Sequence, residues 1–549
     1  MDPKRLVLFV IFSFSILMLW EAWQRDHTLQ PVQQTEQAQS RQNAIDPAVP
    51  QPATGQPAAP AAVQESGFAL QKGQRIRVQT DMVQAEIDTT GADLRRLELL
   101  KHRDNDDIKK SFVLLDDSKL PTVYVAQSGL IGSGLPTHKS VFTASSNNYV
   151  MQPGQDKLEV RLSWVGDQGV QVDKVYTFHR GSYAFDLHYE IHNGSAAAVD
   201  TSVYYQIVHD SQSAQGSKMM PTFTGAAYFT EADKYKKVKF DDMKKSNLSK
   251  NASDGWIALV QHYFVGAWIP KQGMAREYYT KQLSDNIYSM GAVSSLGTVA
   301  PGASVTADAR FFAGPQEQQH LKAVAPGLEY VVDYGWLTVI ASPLFWVLSM
   351  IQKFVQNWGV AIILLTVLLK LAFYPLSAKS YKSMAQMREL APRLQRLKEQ
   401  FGDDRQKMHQ AMMELYKTEK INPMGGCLPI LVQIPVFIAL YWVLLGSVEM
   451  RHAPFTLWIH DLSAVDPYYV LPILMGITMI IQTRLNPTPP DPIQAKVMMI
   501  MPVVFSAFFF FFPAGLVLYW LVNNVLSIAQ QWHINRTIGQ AAATKKKPR

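Results

Sequence analysis

Five long apolar runs follow Trp358, and a chain that carries them has few choices of fold. Residues 358–376, 428–448, 468–483, 497–512 and 514–532 are each close to the length that crosses a bilayer as a helix. In hydrocarbon the backbone polar groups must satisfy one another, which for such runs means helices. A sixth apolar run, residues 6–20, follows Lys4 and Arg5. As a helix it is about 22 Å long, or about 27 Å with residues 21–23 included. It closes on LWEAW, without the small residues of a signal-peptidase site, so it reads as an uncleaved anchor rather than a removed signal.

The rest of the chain is unlike this. Residues 27–66 are rich in Gln, Pro and Ala and cannot build a core, which predicts a flexible linker. Residues 67–329 alternate apolar and polar over short stretches. KLEVRLSWV (157–165) puts Leu158, Val160, Leu162 and Trp164 on one face, and AFDLHYEIHNG (184–194) does so with Phe185, Leu187, Tyr189 and Ile191. With turn residues between such segments, this predicts a large antiparallel sandwich. The fold class is a multi-domain membrane protein. It has an anchor (1–26), a linker (27–66), an all-β sandwich (67–329) and an amphipathic helix (330–357). A five-span core (358–535) contains a cytoplasmic helical hairpin (379–420), and a basic tail (536–549) follows.

The formal net charge of +7 fits nucleic acid or anionic lipid equally well; where the charges lie decides. Residues 379–420 hold ten basic and six acidic residues, the loop after the fourth run holds Arg484 and Lys496, and the chain closes on TKKKPR. The loop after the third run holds Arg451 alone. Six spans, both termini cytoplasmic and the sandwich exported, satisfy the positive-inside rule throughout. The single cysteine, Cys427, leaves no disulfide within one chain.

Residues 330–353 place Trp336, Leu337, Ile340, Leu344, Val347, Leu348 and Ile351 near helical spacing, with Pro343 midway. Two readings stand: a helix lying along the outer membrane surface, or a cap on the sandwich. In the hairpin one arm (380–401) carries Met384, Met387, Leu394 and Leu397, with Pro392 as a kink. The second, capped by Asp403 or Asp404, carries Met408, Met412 and Leu415. The methionines either pack the arms together or offer an adaptable apolar surface to a partner.

Lys370 is the one charge inside the five core runs. It lies about 18 Å along a helix from Trp358. Either it snorkels to the cytoplasmic interface, or it faces water. Thr366 one turn earlier, Gln433 on the third run and Asn523 and Asn524 on the sixth favour a shared wet cavity, because intramembrane polar groups face the bundle interior. A transporter with an exported sandwich as binding domain is the alternative function. The core runs lack the Asp, Glu or His of a coupled transporter, and no inverted repeat is visible. For an enzyme, His460–Asp461 is the only suggestive pair. There is no HExxH, GxSxG, P-loop or zinc cluster, and GLIGSGLP (129–136) reads as a loop.

The stretches INPMGGCLPILVQIPVFIALYWVL, APFTLWIHDLSAVDPYYVLPILMG and FFPAGLVLYWLVNN resemble the YidC membrane protein insertase family of Gram-negative bacteria, as does the order of segments. The resemblance implies an insertase and chaperone rather than an enzyme, located in the inner membrane, with a periplasmic super-sandwich and a hydrophilic groove open to cytoplasm and lipid. Lys370 matches the groove cation, which is often arginine in the family. Thr366, Gln433 and Trp520 match its groove partners, with Trp520 where tyrosine is common. Ile434, Phe437, Phe508 and Phe512 match an apolar slide for substrate helices. Nascent membrane proteins, the Sec translocon and membrane lipids are the implied partners, with the ribosome and the signal-recognition machinery as further candidates. No cofactor, metal or nucleic-acid site is expected.

Overall fold

A computed structural model describes residues 48–50, 69–105, 107–118, 122–211, 222–401, 404–419, 428–486 and 492–545. The anchor and most of the linker lie outside them. Two compact units result: Ala44–Asp333 with Gly446–Glu449, and Tyr334–Leu445 with Met450–Arg549.

The first unit is a sandwich of a ten-stranded and a nine-stranded sheet. Among the described residues all pairings are antiparallel except Arg75–Gln79 beside Asn148–Val150. The alternation read from sequence is the buried pattern. Leu158, Val160 and Leu162 are buried, as are Phe185, Leu187, Tyr189 and Ile191. Trp164, near the end of its strand, is only half-buried; its ring lies over Gly166, where a Cβ would come within 2.5 Å of it. The glycine-rich segment 129–136 is not wholly a loop. Gly129–Ile131 closes the strand Tyr124–Ile131, and Gly134, with φ of +70°, makes the turn beyond. One part of the expected linker is ordered against this unit: Val49 packs on Tyr204, Tyr279 and Val293, because an apolar side chain gains by leaving water wherever the core offers a seat.

A polar network crosses the middle of the sandwich. Lys174 comes from the nine-stranded sheet, Asp93 and Arg95 from the ten-stranded one, and all three are buried. Lys174 Nζ donates to the carbonyls of Gly91 (2.8 Å) and Ser128 (3.3 Å) and lies 3.6 Å from Asp93 Oδ1. Gln127 Nε2 donates to Asp93 Oδ2 at 3.0 Å, Gln206 Nε2 to Gln127 Oε1 at 2.9 Å, and Tyr279 Oη to Gln206 Oε1 at 2.7 Å. Burial pulls the Lys174 ammonium down to about 8 and pushes the Asp93 carboxyl up, since a low-dielectric interior disfavours the charged form of each.

The second unit is helical: α1 (Thr338–Val355), α2 (Trp358–Ala372), α3 (Tyr374–Glu389), α4 (Ala391–Phe401), α5 (Arg405–Thr418), α6 (Leu428–Gly446), α7 (Val470–Leu485), α8 (Pro492–Phe509) and α9 (Ala514–Lys545). Helix α9 packs against α2, α3 and α7, α7 against α8, α2 against α1, and α4 against α5. Local chemistry sets the ends. Asn357 Oδ1 accepts from the Val360 amide and opens α2. The buried Asp466 carboxylate opens α7: its Oδ2 accepts from the Leu471 amide (2.7 Å), while its Oδ1 holds the Tyr468 amide and Trp458 Nε1. Gly476 lets α7 approach α8, for a Cβ there would lie 2.5 Å from Ser506 Oγ.

Several expected boundaries move. The second span does not run to residue 376. It breaks at Phe373, and the chain bends by 66° into α3, because Pro375 has no N–H to continue the α2 ladder but is harmless in the first turn of a new helix. The hairpin's first arm breaks at Leu390 rather than kinking, with Pro392 in the first turn of α4; Asp404 is the cap of α5, accepting from the Gln406 and Lys407 amides. The fourth span starts at Val470 and the fifth ends at Phe509, so residues 510–513 join the last two helices, not Pro513 alone. The last helix runs on to Lys545, taking in most of the expected tail. Helix α1 is less amphipathic than its spacing suggested. Ala341, Leu344, Phe345 and Leu348 are buried, yet Val339, Trp346, Met350 and Phe354 are exposed, so it is apolar on both sides.

Among the described residues, Gly335–Val355 is the one helix long and apolar enough by itself to cross a membrane; Trp358–Ala372 with Tyr374–Met387 qualifies as a bent pair, and Val432–Gly446, Val470–Leu485 and Ala495–Phe509 are shorter apolar helices. The 15 residues of α2 and 16 of α7 give about 22–24 Å of helix, less than the roughly 30 Å of a typical hydrocarbon core.

Candidate functional site

The site is built where α2, α3 and α9 meet. Lys370 lies in the last turn of α2 and is 6% exposed. Its Nζ donates to Ser527 Oγ of α9 at 2.7 Å. The Ser527 hydroxyl in turn donates to the Asn523 carbonyl at 2.7 Å, with Tyr381 of α3 nearby. Among the described residues no carboxylate lies within ion-pair distance of Lys370. A cation taken out of water usually requires an ionic partner; here a hydroxyl stands in its place.

The other expected groove residues are distributed around this point. Thr366 is buried, and its hydroxyl donates to the Ile362 carbonyl of its own helix at 2.7 Å, so it turns no hydrogen atom toward Lys370. Asn524 is buried, with Nδ2 set 3.4 Å from Thr478 Oγ1 of α7. Asn523 is half-buried, as is Gln433 on α6. Trp520 is half-buried with its Nε1 shielded from water and without an acceptor among the described residues. On α9 Trp520, Asn524, Ser527 and Gln531 follow at intervals of four, three and four, which is one helix face.

The expected slide adjoins this face. The Phe437 ring of α6 meets Trp520 edge-on at 4.4 Å and stacks with Tyr519 at 6.1 Å. Trp520 also touches Phe509 at 5.3 Å, Phe509 touches Phe512 at 5.1 Å, and Phe512 touches Phe508 at 4.8 Å and Tyr441 at 6.1 Å. A continuous aromatic row thus joins α6, α8 and α9. Ile434 and Phe508 are 45% and 47% exposed, so the row ends in apolar surface. Met384, Met387, Met408 and Met412 of the hairpin are all half-buried, a state intermediate between packed and presented.

Ser527, Tyr381, Phe509 and Tyr441 were not singled out from the sequence. For Ser527 the signal was available: it lies four residues after Asn523 and seven after Trp520. His460 and Asp461 do not act as a pair. Asp461 Oδ2 faces His452 Nδ1 at 3.2 Å, and His460 is exposed, because neighbours in an extended loop point apart. Asp461 also accepts from the Ser463 amide and hydroxyl, which makes it a turn-former.

Outward, the helices are apolar. Leu364, Leu368 and Leu371 on α2, Ile473, Ile477 and Ile481 on α7, and Met499, Val503 and Val504 on α8 are exposed. Surfaces of this extent belong against lipid. A unit that turns apolar side chains out and gathers a lysine, amides and hydroxyls inside, joined to a 19-strand sandwich, defines a membrane-embedded protein with a large extramembrane β domain.

Comparison with known proteins is specific. Residues 75–347 match the YidC periplasmic domain and residues 350–541 the 60Kd inner membrane protein family. The membrane protein insertase YidC of Methylobacillus flagellatus is 72% identical over 552 residues, covering 100% of this chain and 99% of that protein. That of Nitrosospira multiformis is 55% identical over 565 residues, with coverage of 100% and 99%. A crystal structure of an active YidC insertase with its first transmembrane domain resolved is 19% identical, covers 84% of this chain and 92% of that one, and superposes with a TM-score of 0.39. The chain belongs to the YidC membrane protein insertase family.

Proposed function

We propose that this chain inserts and folds inner-membrane proteins through a wet groove in the cytoplasmic half of the membrane, lined by Lys370, Gln433, Trp520, Asn523 and Asn524, with Thr366 behind Lys370. The observation that carries the reading is the burial of Lys370 against a hydroxyl rather than a carboxylate. A positive site left open to an incoming anion has that form. The topology that goes with it is six spans, both termini cytoplasmic and the sandwich in the periplasm, so that the basic hairpin meets substrates as they leave the ribosome. The Sec translocon, the ribosome and the signal-recognition machinery are proposed partners.

The mechanism has no covalent step. A short polar tail enters the groove, where water and side chains satisfy groups that would otherwise be stranded in hydrocarbon. Lys370 attracts acidic residues of that tail. Short helices such as α2 and α7 thin the path the tail must cross. The substrate's apolar segment leaves along Ile434, Phe437, Phe508 and Phe512 into lipid, where burial of its side chains drives the process. The membrane potential adds about 2.3 kcal/mol per acidic charge per 100 mV.

Site-specific photo-crosslinking tests this. With probes at Ile434 and at Trp520 and ribosomes stalled on a small single-span protein, crosslinks to the nascent helix are expected at both positions. Normal insertion of the same substrate without either crosslink would place the route elsewhere.

A further inference from the structure

Ser527 holds more than its share of the site. It is 3% exposed, and its hydroxyl does two things at once: it donates to the Asn523 carbonyl and accepts from the Lys370 ammonium. A hydroxyl has one proton and two lone pairs. With its proton committed to Asn523, toward Lys370 it can only accept. Helices α2 and α9 therefore meet on one oxygen, and the rotor of that oxygen is fixed by its own helix.

The consequence for Lys370 is directional. A lysine side chain has four rotatable bonds and no preferred end point, and its ammonium is a point charge. Among the described residues Ser527 is the one side chain that hydrogen-bonds this ammonium, and no carboxylate is within reach. We propose that Ser527 is a positioning residue for insertion, setting the Lys370 ammonium on the polar face of α9 beside Asn523 and Asn524 so that the charge is presented to an acidic substrate segment. The inference rests on the groove reading above and adds that the place of the charge, as well as its presence, determines which tails pass.

The test uses the full-length protein in proteoliposomes and two substrates that differ only in having Asp or Asn in the translocated tail. Ser527→Ala is expected to slow the Asp-tailed substrate about tenfold, the effect of one hydrogen bond to a charged group, and the Asn-tailed one less than about twofold. Ser527→Thr keeps the hydroxyl at the same carbon and is expected to restore the Asp-tailed rate, which a merely structural serine would not require. In a Lys370→Ala background, Ser527→Ala is expected to add nothing, because the two residues act as one unit. Equal slowing of both substrates, or additive losses in the double variant, would overturn the inference and make Ser527 a packing residue. A normal Ser527→Ala beside a slowed Lys370→Ala would overturn it while leaving the groove reading intact. If Lys370→Ala itself treats both tails alike, both readings fall.

Discussion

Lys174 and Asp93 face each other across the two sheets of the sandwich, 3.6 Å apart and without exposed surface. Asp93 also faces the buried Arg95, whose Nη2 lies 3.4 Å from its Oδ2, so the carboxylate holds two cations. Lys174→Met leaves the Asp93 carboxylate to Arg95, Gln127 and the Ser128 amide, and breaking a buried pair costs up to about 3–5 kcal/mol. The expected result is a large fall in the thermal midpoint of the sandwich. Lys174→Met with Asp93→Asn removes this pair but leaves Arg95 without its carboxylate, and is expected to lose less than the sum of the two single variants. Calorimetry on the four forms measures the coupling; strictly additive losses would contradict it.

Acid should weaken the same domain through His209. The imidazole is buried against Tyr124 and Phe240, its Nδ1 bonds the Asp210 carbonyl, and burial pulls it down to about 4 from 6.5. Between those values the unfolded chain binds a proton that the folded one refuses. Stability from this group is therefore complete above pH 6.5 and is lost as pH falls through 4. His209→Gln, which does not titrate, is expected to flatten that part of the profile. Unfolding midpoints from pH 7 to pH 4 for both forms check this.

How much of this could be read from the sequence depends on whether a signal is local. Leu158, Val160 and Leu162, and the strand from Phe185 to Ile191, follow from a period of two residues that any half-buried strand shows. The polar character of Lys370, Asn523 and Asn524 was equally plain, because such residues are rare in apolar runs. The partner of Lys370 was less so: a serine in a helix has no signature until the facing helix is known. Pro375 did announce the break after α2, but the apolar run continued past it and masked the bend. His452 meeting Asp461 needed the folded loop, and the seat of Val49 on the sandwich needed the three neighbouring strands it packs on.

Gly476 and Ser506 set the distance between α7 and α8. An alanine Cβ at 476 would lie 2.5 Å from Ser506 Oγ and 2.9 Å from its Cβ, and Ser506 is held by its bond to the Pro472 carbonyl. Gly476→Ala is expected to lower the thermal midpoint, with a loss of about 1–3 kcal/mol as for other overpacked contacts. Gly476→Ala with Ser506→Gly makes room again and is expected to recover most of it. Thermal unfolding of the detergent-solubilised protein distinguishes this from a loss due to helix propensity, which would run the other way.

The aromatic row and the lysine should affect different parts of a substrate. Phe437 touches Trp520 edge-on at 4.4 Å, and Phe512 links Phe508 to Tyr441; neither bears charge. If the row guides the apolar segment, Phe437→Ala should slow insertion of acidic-tailed and neutral-tailed substrates to the same degree. Loss of one aromatic pair, about 0.5–1.5 kcal/mol, gives about two- to tenfold. The slowing should grow as the substrate helix is made less apolar, because partition into lipid then compensates less. Lys370→Ala should show the opposite pattern, sensitive to tail charge and indifferent to the hydrophobicity of the helix. Rates for a two-by-two set of substrates, acidic or neutral in the tail and strongly or weakly apolar in the helix, separate the two. A Phe437→Ala effect that followed tail charge would assign the row to the groove and leave the slide without support.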